Sequence, residues 1–208
     1  MAYNLNEIIS KFDITNSIEP YGDGHINDTY LAKADTKFIL QRINHSIFKN
    51  PEKLMENIQN VTEHLGKKIK EEGGDVTRET LTIIKTLDGK SFYKDEEGNY
   101  FRMYVFIDNA TTYQKIENPM HFYSAAKAFG KFQKNLADFP AESLYESIPN
   151  FHNTVSRFED FKKAVEEDKM GRAKDVQKEI EFAFARAKDC GLIVDAIASG
   201  EVPVRVTH

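Results

Sequence analysis

Tyr21-Gly22-Asp23-Gly24-His25-Ile26-Asn27-Asp28-Thr29 is a glycine-bearing turn between two strand-like runs, Ser17 to Tyr21 and Thr29 to Ala34. Asp35-Thr36 then connects tightly into a third run, Lys37-Phe38-Ile39-Leu40-Gln41-Arg42-Ile43. Alternating apolar residues broken by Gly, Asp and Asn are the mark of a β-meander. Ahead of it, Leu5, Ile8, Ile9 and Phe12 have the spacing of a short amphipathic helix.

Downstream, Asn50-Pro51-Glu52-Lys53 predicts a helix start: a polar cap, proline at the first helical position and an acidic first turn. Leu54, Ile58, Val61, Leu65 and Ile69 recur at helical spacing until Gly73-Gly74 stops the pattern. Strands are predicted over 80–86, 91–94 and 99–107, separated by Asp88-Gly89 and Glu97-Gly98-Asn99. After Asp108-Asn109-Ala110-Thr111-Thr112 the pattern turns helical. One helix opens at Pro119 with Phe122, Ala126, Phe129, Phe132 and Leu136 on a stripe. Others are predicted around Val155–Val165, over Ala173–Lys188 with Val176, Ile180, Ala183, Phe184 and Ala187 inward, and over Leu192–Ala198. Pro203-Val204-Arg205-Val206-Thr207-His208 predicts a terminal strand.

The fold class is therefore α+β: an antiparallel sheet lobe with one inserted long helix, then helices. The boundary falls at 108/109, giving a β-rich lobe over 1–108 and a helical part over 109–208. Two such lobes leave a cleft between them.

Lys and Arg number 28 against 33 Asp and Glu, a net charge of −5, which argues against nucleic acid as an obligatory partner. The single Cys190 excludes an intramolecular disulfide framework and a cysteine zinc cluster. No basic-then-apolar leader is visible, and no apolar run approaches the ~18–20 residues that span a bilayer. A cytoplasmic protein with no membrane partner is expected.

Three groups of residues carry candidate chemistry. Backbone amides approach a polyphosphate only where side chains do not intervene, which suits Gly22 and Gly24. Asp23, His25, Asn27, Asp28 and Thr29 complete that turn, and the same chemistry also suits an ordinary hairpin. Next, Gln41 and Arg42 on the third strand are followed by a helix carrying Glu56 or Glu63. Protein kinases place a lysine on this strand, paired to a helical glutamate, to hold nucleotide phosphates. Here the lysine is absent: Arg42 replaces it, Gln41 makes a neutral contact, or both are ordinary strand-end residues. Third, Arg102-Met103-Tyr104-Val105-Phe106-Ile107-Asp108-Asn109 offers backbone donors and acceptors beside an apolar slot, as a purine requires. His64, His121 and His152 show no metal-ligand spacing.

Taken together these stretches resemble the aminoglycoside/choline phosphotransferase superfamily of kinase-like enzymes, and more narrowly the bacterial N-acetylhexosamine 1-kinases. Further matching stretches are Leu54-Met55-Glu56-Asn57-Ile58, Phe129-Gly130-Lys131-Phe132-Gln133 and Ile148-Pro149-Asn150-Phe151-His152-Asn153-Thr154. The resemblance implies a protein-kinase-like fold using ATP and Mg2+, with the anomeric hydroxyl of an N-acetylhexosamine as acceptor. It implies that the turn from Gly22 to Thr29 covers the ATP phosphates, that Phe106 and Ile107 flank adenine, and that Glu56 holds the helix position that pairs the strand cation. His25 would point toward the transferred phosphate or the sugar. In that family Arg205-Val206-Thr207-His208 runs on into the aspartate base and then the magnesium ligands. The expectation is thus a chain stopping one residue short of the base, with little activity alone and a tendency to self-associate. Two alternatives stand: a kinase for a choline- or aminoglycoside-like hydroxyl, or a non-catalytic nucleotide-binding module.

Overall fold

The computed structural model describes every residue except Met1, Ala2, Asn16, Asp23, Thr112, Gln114, Glu117 and His208. It divides into two compact units, Met1–Ser147 with Arg205–His208, and Ile148–Val204. The boundary read from the change of element type at residue 108 is thus a different division from this one.

The first unit holds the sheet. After α1 (Leu5–Ser10) come β1 (Ser17–Pro20), β2 (Asp28–Lys33) and β3 (Lys37–Ile43), then α2 (Pro51–Glu71), α3 (Val76–Glu79), β4 (Ile83–Ile84), β5 (Tyr93–Lys94) and β6 (Tyr100–Val105). All pairing is antiparallel, in the order β1-β2-β3-β6-β4, with β5 also on β6. The α+β architecture is therefore present, with α2 inserted between β3 and β6. Register assigns the two sheet faces. Tyr30, Ala32, Leu40, Phe101 and Met103 share one face, where Ala32, Leu40, Phe101 and Met103 form a core with Ile8, Ile9 and Phe12. The opposite face carries Thr29 and Leu31, then Ile39, Gln41 and Ile43, then Tyr100, Arg102 and Tyr104.

The inserted helix starts as its sequence dictates. Asn50 accepts a hydrogen bond from the Lys53 amide (3.1 Å), and Pro51 needs no amide partner at the first position. Its far end buries Leu65 and Ile69 against Leu136 and Phe139, which follow from α4 (Pro119–Asn135). The motif residue Asn57 clamps this helix to the segment after α4: its amide donates to the Tyr145 carbonyl (2.6 Å) and its oxygen accepts from the Tyr145 amide (3.0 Å).

Four expectations are corrected. The strand predicted over 80–86 shrinks to Ile83–Ile84, because Thr86 closes a turn with Lys90 through its amide (2.8 Å) and hydroxyl, and Asp75 caps the unforeseen α3. Among the described residues the terminal segment, 203–207, is not a strand. Val206 packs among side chains of α2 and α4, and helices offer no ladder to pair with. The aromatic stripe of α4 is buried only at its end: Phe132 and Leu136 pack, while Phe122 is 64% exposed.

The fourth correction lies in the second unit, built from α5 (Thr154–Glu167), α6 (Gln177–Phe184) and α7 (Leu192–Ala198). The helix predicted over 173–188 breaks after Phe184. Arg186 lays its guanidinium over the Phe182 ring and donates to the Phe182 carbonyl (3.0 Å), the acceptor its own amide would use in a continuing α-helix. That amide bonds Ala183 instead. Phe184 still packs against Phe158 and Phe161 of α5. Among the described residues no helix is long and apolar enough to cross a membrane.

Candidate functional site

The glycine turn is open. A side chain added at Gly22 or Gly24 would meet nothing within 4 Å. Gly22 has φ +76°, a conformation that side chains resist, whereas Gly24 does not need such a φ. The turn closes through the Tyr21 amide, which donates to the Thr29 carbonyl (2.9 Å). His25 is exposed and makes no hydrogen bond to a described residue. Asp23 lies outside the described residues.

Two of the polar residues after the glycines reach across to β3 and the residue that follows it, while the Thr29 hydroxyl also donates to the Asn27 carbonyl (3.5 Å) within the turn. The Asn27 side-chain oxygen accepts from the Asn44 amide (3.0 Å), and Asp28 forms an ion pair with Arg42. These two bonds fasten the base of the turn.

Gln41 and Arg42 part company because neighbours on a strand face opposite ways. Arg42 lies on the α1 face, bonded to Asp28 and stacked over Tyr3 with its guanidinium 5.7 Å from the ring centre. Burial pulls its pKa down, but the hydrogen bond and charge of Asp28 outweigh that and leave it raised. Gln41 lies on the other face, where its oxygen accepts from Arg102 Nε (3.1 Å) and Nη2 (2.9 Å) and its amide donates to Thr29 Oγ1 (3.0 Å). These three residues are direct register partners across β2, β3 and β6. Arg102 is the residue that sequence reasoning quoted without assigning a role. The signal was present: period-2 alternation puts it on a face with Tyr100 and Tyr104, where a cation is costly unless used.

Burial draws the Arg102 guanidinium below its usual value, although an arginine stays charged in proteins. Burial likewise pushes the Tyr104 hydroxyl up, with Arg102 acting the other way. Glu56 is not brought to this ladder. It is exposed and pairs with Lys53 of its own helix (2.6 Å). Glu63 accepts from Gln59 (2.9 Å) and lines a groove of about 210 Å³ with Thr82 and Lys85.

The connector meets the glycine turn directly. Phe106 takes the Tyr21 ring edge-on, centroids 5.6 Å apart, and lies beneath the Lys37 ammonium (5.5 Å). The Phe106 amide donates to the Lys37 carbonyl (3.0 Å), so it is spoken for. Ile107 makes no hydrogen bond to a described residue through its amide or carbonyl. Beyond it, Lys37 pairs with the Asp108 carboxylate (2.6 Å) and Arg78 donates to the Asp108 carbonyl (2.8 Å), which pins the connector. A separate cleft of about 510 Å³ in the second unit, lined by Phe151, His152, Arg157 and Cys190, includes none of the candidate residues. Among the described residues no group of three or more His, Cys, Asp or Glu could hold a metal ion.

No protein-family model matches the chain. Among solved structures it is similar to spectinomycin phosphotransferase APH(9)-Ia, a structure in complex with ADP and spectinomycin. Identity is 13% and the TM-score 0.38, with 84% of this chain and 57% of that one covered. The chain thus spans less than two thirds of that neighbour's length.

Proposed function

We propose that this chain is the nucleotide-gripping part of an ATP-dependent small-molecule kinase, with residues 1–108 as the nucleotide lobe and 109–208 as helical support. The observation that carries the reading is the open glycine turn joined, through Tyr21 and Phe106, to a connector whose Ile107 amide and carbonyl bond to no described residue. Gly22 and Gly24 let backbone amides reach phosphate oxygens, with Asp23 part of the same turn. Phe106 and Ile107 present an apolar wall and an edge of backbone donors and acceptors to a purine. Thr29 and Gln41 line the sheet face beside the phosphates, and His25 reaches from the exposed tip toward the transferred group. Arg42, Asn27 and Glu56 hold the scaffold.

The acceptor we favour is the anomeric hydroxyl of an N-acetylhexosamine, on the strength of the sequence motifs alone. ATP suits the residues present. Mg2+ would be held chiefly by the phosphates of the nucleotide itself, since among the described residues no group of three or more His, Cys, Asp or Glu could hold it. The lack of a lysine at the Gln41-Arg42 strand position favours the second reading, a nucleotide-binding module without catalysis.

Titration of the chain with ATP and ADP, with and without Mg2+, tests the grip. Phosphoryl transfer to N-acetylglucosamine, N-acetylgalactosamine, choline and an aminoglycoside tests the acceptor. Binding without transfer to any of them favours the module; no binding ends both readings.

A further inference from the structure

We infer that Arg102, presented from β6 and aimed by Gln41, is an anion-binding residue that takes the oligophosphate of the nucleotide in place of the missing strand lysine. Its nucleotide role rests on the kinase reading above, but the anion site itself does not.

Four basic residues stand on the three long central strands β2, β3 and β6: Lys33, Lys37, Arg42 and Arg102. Three of them are neutralised by a carboxylate, Lys33 by Glu19, Lys37 by Asp108 and Arg42 by Asp28. No carboxylate among the described residues pairs with Arg102, which is nonetheless half-buried. A half-buried cation without a counter-charge is costly to fold around, and an external anion removes that cost.

The hydrogen bonding leaves the fork usable. A guanidinium has five N–H donors in a planar fork that matches phosphate oxygens. Gln41 takes donors on Nε and Nη2, and no described residue accepts from Nη1. Gln41 is itself held, because its amide donates to Thr29 Oγ1. Thr29 in turn receives the Tyr21 amide that closes the glycine turn. The guanidinium is therefore fixed in orientation by a chain of bonds ending at the open glycine turn. A lysine at position 41 would bring a like charge beside Arg102, whereas a neutral glutamine serves as its acceptor. The cation has moved one strand across, and the residue at the old position now positions it.

The test is calorimetric titration of the 208-residue chain with inorganic tripolyphosphate, ADP and adenosine, repeated on Arg102→Gln, Arg102→Lys and the exchange Gln41→Lys/Arg102→Gln. Arg102→Gln is expected to weaken tripolyphosphate and ADP roughly tenfold or more, the range for a lost charge-assisted hydrogen bond, while adenosine changes by less than about twofold. Arg102→Lys is expected to lose less, and the exchange to recover most of the affinity. A merely structural role would weaken adenosine and ADP alike, and that pattern overturns the inference. So does a folded Arg102→Gln that binds tripolyphosphate like the parent, or a parent that binds no tripolyphosphate. Circular dichroism checks folding; if Arg102→Gln does not fold, the Arg102→Lys and exchange variants decide by the same comparison. Arg102-dependent tripolyphosphate binding with no affinity for adenosine or ADP would sink the kinase reading and leave the anion site standing.

Discussion

Gln41 and Arg42 sit back to back on β3: one is bonded to Arg102 under the sheet, the other to Asp28 above it. Their substitution should separate stability from ligand binding. Arg42→Ala is expected to lower stability by about 1 kcal/mol, discounted because the Asp28 carboxylate is partly solvated, and to leave ADP affinity within about twofold. Gln41→Ala frees the Arg102 fork from its acceptor and is expected to weaken ADP as well. Urea denaturation paired with ADP titration distinguishes them.

The two glycines of the open turn should respond differently. Valine at 22 meets a φ of +76° and is expected to cost on the order of 1 kcal/mol or more of folding free energy. Valine at 24 meets no neighbour and no positive φ, so the melting temperature should hold. Its side chain would nevertheless stand where phosphate oxygens approach, and ATP affinity should fall. Unchanged ATP binding in Gly24→Val would remove the turn from the site.

Leu136 is 1% exposed in the cluster that joins α4 to the far end of α2. Leu136→Ala should destabilise the chain by roughly 2–5 kcal/mol, the range for an alanine cavity in a packed core. Phe122→Ala, on the exposed start of the same helix, should change stability by about 0.5 kcal/mol or less. Thermal denaturation of both variants checks the contrast.

Asp138 is held below the usual carboxylate range, chiefly by a hydrogen bond from Lys68, with His64 adding a smaller share. A depressed carboxylate stabilises the fold above its unfolded pKa of about 3.9, and that stabilisation disappears as pH falls through the lower folded value. The stability difference between parent and Lys68→Met should therefore be full at neutral pH and shrink in acid below about pH 4. Denaturant midpoints measured across that range decide it.

Met120, Phe122 and Tyr123 are exposed together at the start of α4. Large apolar side chains exposed on one helix turn favour association. Light scattering should show mass rising with concentration, and Phe122→Lys should reduce the rise.

The three-stranded opening and α2 were legible because their signals are local. Alternation marks β2 and β3, and Asn50-Pro51 caps its own helix. What escaped depended on partners distant in the chain. Ile83–Ile84 and Tyr93–Lys94 are strands only because β6 lies beside them, and two residues are too few to show a period. Val204 and Val206 looked like a strand, yet Val206 packs against Leu65 and Ile69 of α2 with Leu136 and Phe139. The glycine turn was plain, but the fastening of Asn27 to Asn44 and Asp28 to Arg42 was not. For Arg102, alternation shows its face, while only the register across three strands reveals that Gln41 and Thr29 aim it.

The sheet also terminates itself. Its β1 border is four residues long and ends in Pro20, which has no amide to offer, and its other border is two staggered dipeptides along β6. A foreign strand would find no continuous row of backbone groups to template on. Copies of this chain that stick through α4 should therefore form reversible clusters and not fibrils, so thioflavin dyes should stay dark in concentrated samples.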